Sequence, residues 1–196
     1  MDCRSSSRLL RYLACLWLGL AVSGSVVLAR YAYTPSAPGD PALNWPRGAA
    51  ISRSNHRFTL VLLAHPQCPC TRATLEELSR LLAGVSQRTV DAHVVFLLPD
   101  GFPDGWQKST LWNTANAIPG VTLWTDSGGR QAQLFGAQTS GQVLLYDPSG
   151  KLRFSGGITS GRGHAGDNPG LDALYRILFR KADVLERAPV FGCSLR

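Results

Sequence analysis

The stretch FTLVLLAH, residues 58–65, is a short run of apolar and β-favouring residues with almost no polar interruption. Such a strand is buried on both faces, so it must sit inside a sheet with a covering layer on either side. It leads directly into a helical pattern. Leu75, Leu78, Leu81, Leu82 and Val85 recur at three- and four-residue spacing, and Gly84 supplies a stop signal. DAHVVFLLP, residues 91–99, then reads as a second buried strand. Strand, helix and strand in that order make a crossover unit, and the chain is therefore an α/β protein.

Further elements follow in order. Residues 105–117 read as helical, Val121–Thr125 as a short strand and Arg130–Phe135 as a turn or two of helix. GQVLLYDPSGKLRFSGG is the clearest hairpin, with strands at Val143–Asp147 and Leu152–Gly156 around Pro148-Ser149-Gly150. A glycine-rich loop, ITSGRGHAGDNPG, leads to a last amphipathic helix over Leu171–Ala182, with Leu171, Leu174, Ile177 and Leu178 as its apolar stripe. The expected architecture is a mixed sheet flanked by helices.

The N-terminus predicts the compartment. Tyr12–Ala29 is eighteen residues without a charge, bracketed by Arg11 and Arg30. That is close to the shortest helix able to cross a hydrocarbon core. Arg4, Arg8 and Arg11 precede it, so the N-terminus is expected to be cytoplasmic and the remainder outside. This predicts a single-pass inner-membrane protein, periplasmic in a Gram-negative source. A cleaved signal peptide ending at Val27-Leu28-Ala29 is the alternative, and either way the domain is exported. Cys15 has too little apolar sequence before it to be a lipoprotein attachment site. The expected organisation is a cytoplasmic tail (1–11), a signal-anchor (12–30), a Pro-rich linker (31–50), the folded domain (51–184) and a C-terminal tail (185–196). Net charge is +7, yet Lys and Arg are scattered and form no phosphate-tracking run, which argues against a nucleic-acid partner.

Cys3 and Cys15 belong to the targeting segment, leaving Cys68, Cys70 and Cys193 in a compartment where disulfides form. Three thiols are too few to staple a scaffold. In HPQCPC, Pro69 suits the first position of the helix, which would put Cys68 at the N-cap. Unpaired backbone N–H groups there favour a thiolate, the reactive form of cysteine. Cys68 is thus the expected nucleophile, Cys70 its near partner in a redox-active Cys-Pro-Cys motif and Cys193 a possible resolving thiol, and the sequence does not decide which of the two joins Cys68. A Cys68–Cys70 disulfide has to form across positions that do not face each other on a helix. Buried structural cysteines are the bland reading. Two of them flanking a proline at a strand-to-helix junction weigh against it.

The element order, and two cysteines just after the first buried strand, resemble the thioredoxin-like superfamily over roughly residues 51–184. HPQCPC, the hairpin, GHAGDN and FGCSL together look like exported, membrane-tethered members of the RedB type. The resemblance implies thiol–disulfide chemistry on protein thiols or disulfides, with no organic cofactor. Two departures matter. The usual Cys-x-x-Cys spacing is absent, with Gln67 where the first cysteine would align. Thr139-Ser140-Gly141 stands in place of the cis-proline that holds an incoming peptide in such oxidoreductases, which weighs against general dithiol exchange and leaves a narrower partner or a peroxide-like substrate open.

Exported copper-delivery proteins of the Sco type offer an alternative, since they share this fold and use two cysteines with a distant histidine. Here those would be Cys68, Cys70 and His164, a donor set suited to copper, although the Sco spacing is wider. A non-catalytic interaction domain is the third reading. His65 and Thr71 are candidates for tuning the thiolate. Arg162 and His164 lie in a loop able to cradle an anion, Asp167 and Asn168 are candidate helix caps, and Trp106, Trp112 and Trp124 read as packing residues.

Overall fold

A computed structural model describes residues 3–180 and 185–195 of the chain. The chain divides between Thr34 and Pro35 into two compact units. The first is α1, Cys3–Tyr33. It contains a span, Leu10–Tyr33, of mean hydropathy 1.9 that is long and apolar enough to cross a membrane, and no residue of that span is buried. The helix starts at Cys3, so most of the expected cytoplasmic tail is continuous with it.

In the second unit the elements are β1 (Phe58–Ala64), α2 (Pro69–Gly84), β2 (Val90–Leu98), α3 (Thr110–Asn116) and β3 (Val121–Ser127). They continue with α4 (Arg130–Phe135), β4 (Gln142–Tyr146), β5 (Leu152–Gly156), α5 (Pro169–Arg180) and β6 (Glu186–Arg187). The helix expected over 105–117 is only the seven residues of α3, because Ser109 caps Leu111 and the preceding stretch is made of turns. The end expected for the last helix, Lys181 and Ala182, lies outside the described residues.

The six strands form one mixed sheet in the order β3-β2-β1-β4-β5-β6. β1 is central, parallel to β2 and antiparallel to β4, with Leu62 opposite both Val94 and Val143. This explains its unbroken apolar character. Leu60, Leu62 and Ala64 point to one layer with Leu75, Leu78 and Leu81 of α2 and Leu171, Leu174 and Ile177 of α5. Val61 and Leu63 point to the other, with Ala132 and Phe135 of α4, Tyr146 and Ile51. Each fully buried leucine contributes about 1.5–3 kcal/mol relative to an exposed one, so both covers are needed to hold β1.

The Pro-rich segment expected to stand the domain off the bilayer instead lies against the domain from Ser36 onward. Ser36 bridges Val190, Asn44 bridges Lys151, and Trp45 packs edge-on against Phe135 and Tyr146, each at 5.1 Å. Its aromatic and apolar residues cover the second layer, a role that local composition does not reveal. The C-terminal tail also folds back. β6 runs parallel to β5, and Cys193–Leu195 pairs antiparallel with Gln138–Ser140.

Candidate functional site

β1 ends at Ala64, and HPQC turns the chain into α2. The Cys68 N–H donates to the His65 carbonyl at 3.2 Å. Cys68 is the N-cap residue, extended at φ −82° and ψ 118°, and Pro69 follows at the start of the helix. The Cys68 side chain caps nothing, so its sulfur does not replace a capping hydroxyl. The thiol of Cys193 and the backbone N–H groups of Cys193, Cys70 and Thr71 are nonetheless close enough to favour its ionised form. Burial alone would push the Cys68 thiol up, but these donors outweigh it and hold the group below the ordinary thiol range. Only 1% of Cys68 is exposed, so the sulfur is sealed from bulk water yet sits at a helix tip against both sister thiols.

The other two thiols behave oppositely. Burial, and then the charge and hydrogen bond of Cys68, raise Cys70, while the Arg162 guanidinium lowers it in part. Cys193 is pushed up to about 12 by burial, its hydrogen bond to Cys68 and the charges of Cys68 and Cys70. One negative charge is therefore best accommodated on Cys68, with Cys193 as a protonated donor. All three are free cysteines.

Two backbone features place Cys193. The Ser140 N–H donates to the Cys193 carbonyl at 2.8 Å, and the Leu195 N–H donates to the Gln138 carbonyl at 2.9 Å. Gly192 then passes so close to Ser140 that an added Cβ would lie 1.9 Å from the Ser140 carbonyl oxygen. Only glycine allows that approach. The Ser140 hydroxyl accepts the His65 N–H at 2.8 Å and lies 2.9 Å from Thr71 Oγ1. Thr139-Ser140-Gly141 thus binds the tail, the end of β1 and the first turn of α2 together. An open groove is lined by Pro66, Gln67, Cys68, Pro69, Arg72 and Ser109–Leu111.

The remaining candidates resolve into structural roles. His65 Nδ1 accepts the Gln67 N–H at 3.2 Å and its ring packs edge-on against Trp106 at 5.8 Å; burial holds it below the usual imidazole range, so it is neutral near pH 7. Thr71 ties elements together, with its hydroxyl beside Ser140 and its N–H donating to the Cys68 carbonyl at 3.0 Å. The glycine-rich loop does receive an anion, but one from within the chain. Buried Glu77 accepts the Gly166 N–H at 2.6 Å and two bonds from Arg80 at 3.0 Å. Asn168 caps α5, accepting the Leu171 N–H at 2.9 Å, whereas Asp167 is exposed and reaches Arg80 at 3.3 Å. Trp112 packs on Phe96 in the core, and Trp124 donates to His93 Nδ1 at 3.1 Å.

The copper set is not assembled. His164 is exposed with Nδ1 2.8 Å from the Arg162 carbonyl oxygen, and among the described residues no group of three or more His, Cys, Asp or Glu is arranged to hold a metal. Sequence reasoning missed Gly192, Ser36 and Glu77. A glycine immediately before a cysteine was the one available signal for a close approach at the first of these.

No family model matches the chain, and no curated relative matches it. Among solved structures, it is similar to an uncharacterized conserved protein from Geobacillus kaustophilus, at 15% identity and a TM-score of 0.61 over 84% of this chain and 92% of that one. A hypothetical protein from Sinorhizobium meliloti is similar at 16% identity and 0.61, over 81% and 96%. An exposed lipoprotein thioredoxin from Streptococcus pneumoniae aligns at 14% identity and 0.43, over 64% and 86%. The central β2-β1-β4-β5 order, antiparallel only beyond β1, with α2 leaving the carboxyl end of β1 and α5 closing the same layer, makes the chain a thioredoxin-like protein in fold.

Proposed function

We propose that this chain is an exported thiol–disulfide oxidoreductase, anchored by α1 in the cytoplasmic membrane with its domain on the outer side. In a Gram-negative cell that side is the periplasm. Cys68 is the nucleophile and Cys193 the resolving thiol, with Cys70 as a third thiol beside them. The observation that carries the reading is the Cys68 sulfur at the tip of α2, where the Cys193 thiol and the nearby N–H groups of Cys193, Cys70 and Thr71 favour its ionised form more than burial opposes it.

The Cys68 thiolate attacks one sulfur of a partner disulfide. That S–S bond breaks, one partner sulfur leaves as a thiolate and the other remains bonded to Cys68. Cys193 loses its proton to the departing thiolate and attacks Cys68 Sγ, expelling the second partner sulfur. Two electrons have then passed to the partner, and a Cys68–Cys193 disulfide remains; the reverse sequence oxidises a partner dithiol. The attacking sulfur is poised because its charge is met by fixed donors.

Reduction of insulin and exchange with oxidised glutathione test the proposal, with non-reducing peptide mass spectrometry to show which sulfurs join. Wild type is expected to exchange and to accumulate Cys68–Cys193, and Cys68→Ser to do neither. Equal activity in the two chains would refute the oxidoreductase reading in favour of a non-catalytic interaction domain. Tight Cu(I) binding that is lost in Cys68→Ser/Cys70→Ser would favour the metal-delivery alternative.

A further inference from the structure

Arg162 lies where four segments meet. Its guanidinium donates to the Gly192 carbonyl at 2.5 Å and to Ser36 Oγ at 2.7 Å, and its charge acts on the Cys70 thiol, favouring the thiolate. Ser36 in turn donates its hydroxyl to the Gly192 carbonyl at 2.9 Å, and its N–H donates to the Val190 carbonyl at 2.8 Å. One side chain on the β5–α5 loop therefore fastens the strap that begins at Pro35 and the tail that carries Cys193, beside the first turn of α2. Lysine could not reproduce this contact set, because only the planar fork of arginine presents donors in several fixed directions.

We propose that Arg162 is the positioning residue of the thiol cluster: it clasps the tail over α2 so that Cys193 rests on Cys68, and it sets its positive charge beside Cys70. The inference rests on the exchange reading above and extends it by naming what selects the resolving thiol. The carbonyl held by Arg162 belongs to the residue before Cys193, so loss of the clasp acts on the position of that sulfur. The Cys70 contact acts separately, through charge.

Both consequences are read on the full chain in detergent micelles, equilibrated in reduced and oxidised glutathione. In this reaction Cys68 attacks oxidised glutathione and releases one glutathione thiolate. Cys193 attacks the Cys68–glutathione bond and releases the other, and the two cysteine protons pass to the buffer. Peptide mass spectrometry measures the ratio of Cys68–Cys193 to Cys68–glutathione, and the pH dependence of iodoacetamide alkylation at each cysteine. Arg162→Met is expected to lower the ratio about tenfold, the scale of a lost charge-assisted hydrogen bond, and to move Cys70 alkylation to higher pH. Arg162→Lys should lower the ratio but leave Cys70 near its wild-type profile, since the charge remains. Ser36→Ala should lower the ratio modestly and leave Cys70 unchanged. The positioning role is overturned if Arg162→Met alters neither readout; should that variant fail to fold, an Arg162→Lys chain with an unchanged ratio overturns it. Cys68 alkylating no faster than an ordinary thiol would sink the exchange reading, and the Cys70 profile would still judge Arg162.

Discussion

α2 and α5 begin alike. Each has a buried N-cap residue followed by proline, Cys68-Pro69 in one and Asn168-Pro169 in the other. The two caps use their helix in opposite ways. Asn168 accepts the Leu171 N–H and donates to the Ile158 and Gly166 carbonyls at 3.0 and 2.9 Å, so its polar atoms are spent on holding the fold. The Cys68 side chain makes no cap hydrogen bond, and its sulfur benefits from the nearby N–H groups only once it is ionised. An N-cap that stabilises the helix less well can activate a thiolate more. On the proposed exchange reading, stability and reactivity are thereby separated between two nearly identical turns.

That contrast can be broken most sharply at Cys68. Cys68→Ser supplies a true capping hydroxyl in place of sulfur, so glutathione exchange should fall to background while the thermal midpoint holds or rises. A variant that lost both together would show that the thiol is structural. Next in size, Asn168→Ala removes the α5 cap and leaves the buried Ile158 carbonyl and the half-buried Gly166 carbonyl without this donor. About 2–4 kcal/mol of stability should be lost in chemical denaturation, with exchange per folded molecule retained.

The pH dependence of Cys68 refines the comparison. Cys193→Ala removes a donor to the thiolate, so the alkylation midpoint of Cys68 should move upward, slowing its reaction at neutral pH several-fold. The signs for stability follow from the same donors. Because the folded Cys68 thiol lies below its unfolded value, it adds stability as pH rises through the folded value; this is complete above the ordinary thiol range and lost as pH falls. Cys193 works in reverse. Its contribution is complete below the ordinary thiol range and is lost as pH climbs toward about 12. Denaturation of wild type and Cys193→Ala at stepwise alkaline pH should show a steeper decline in wild type, since the raised Cys70 remains in both. The smallest effect belongs to Asp167→Asn at the α5 end. Asp167 is exposed and its ion pair with Arg80 is solvated, so neither melting nor exchange should change measurably.

Legibility followed the range of the forces involved. The unbroken apolar run of β1, the heptad-like spacing of α2 and the Arg130–Phe135 helix were readable because each depends on neighbours within a few residues. The Cys68-Pro69 start of α2 was readable for the same reason. Ser140 was noticed only as a missing proline, although it binds the Cys193 N-to-C strand, His65 and Thr71 at once. The Pro-rich segment was misleading: prolines spell extension, but they do not say whether the extended chain is solvated or, as with Trp45, packed on a core.

The sequence by itself determined a doubly covered sheet, an apolar N-terminal helix and a cysteine at the mouth of α2, since periodicity, capping and proline chemistry are local properties. Only the tertiary structure decided that the tail returns across more than a hundred residues to bring Cys193 onto Cys68, and that Arg162 stands beside Cys70. The reason is physical. A carbonyl such as that of Gly192 has no preference of its own among distant donors, and its partner is chosen only when packing of the whole sheet brings one guanidinium within reach.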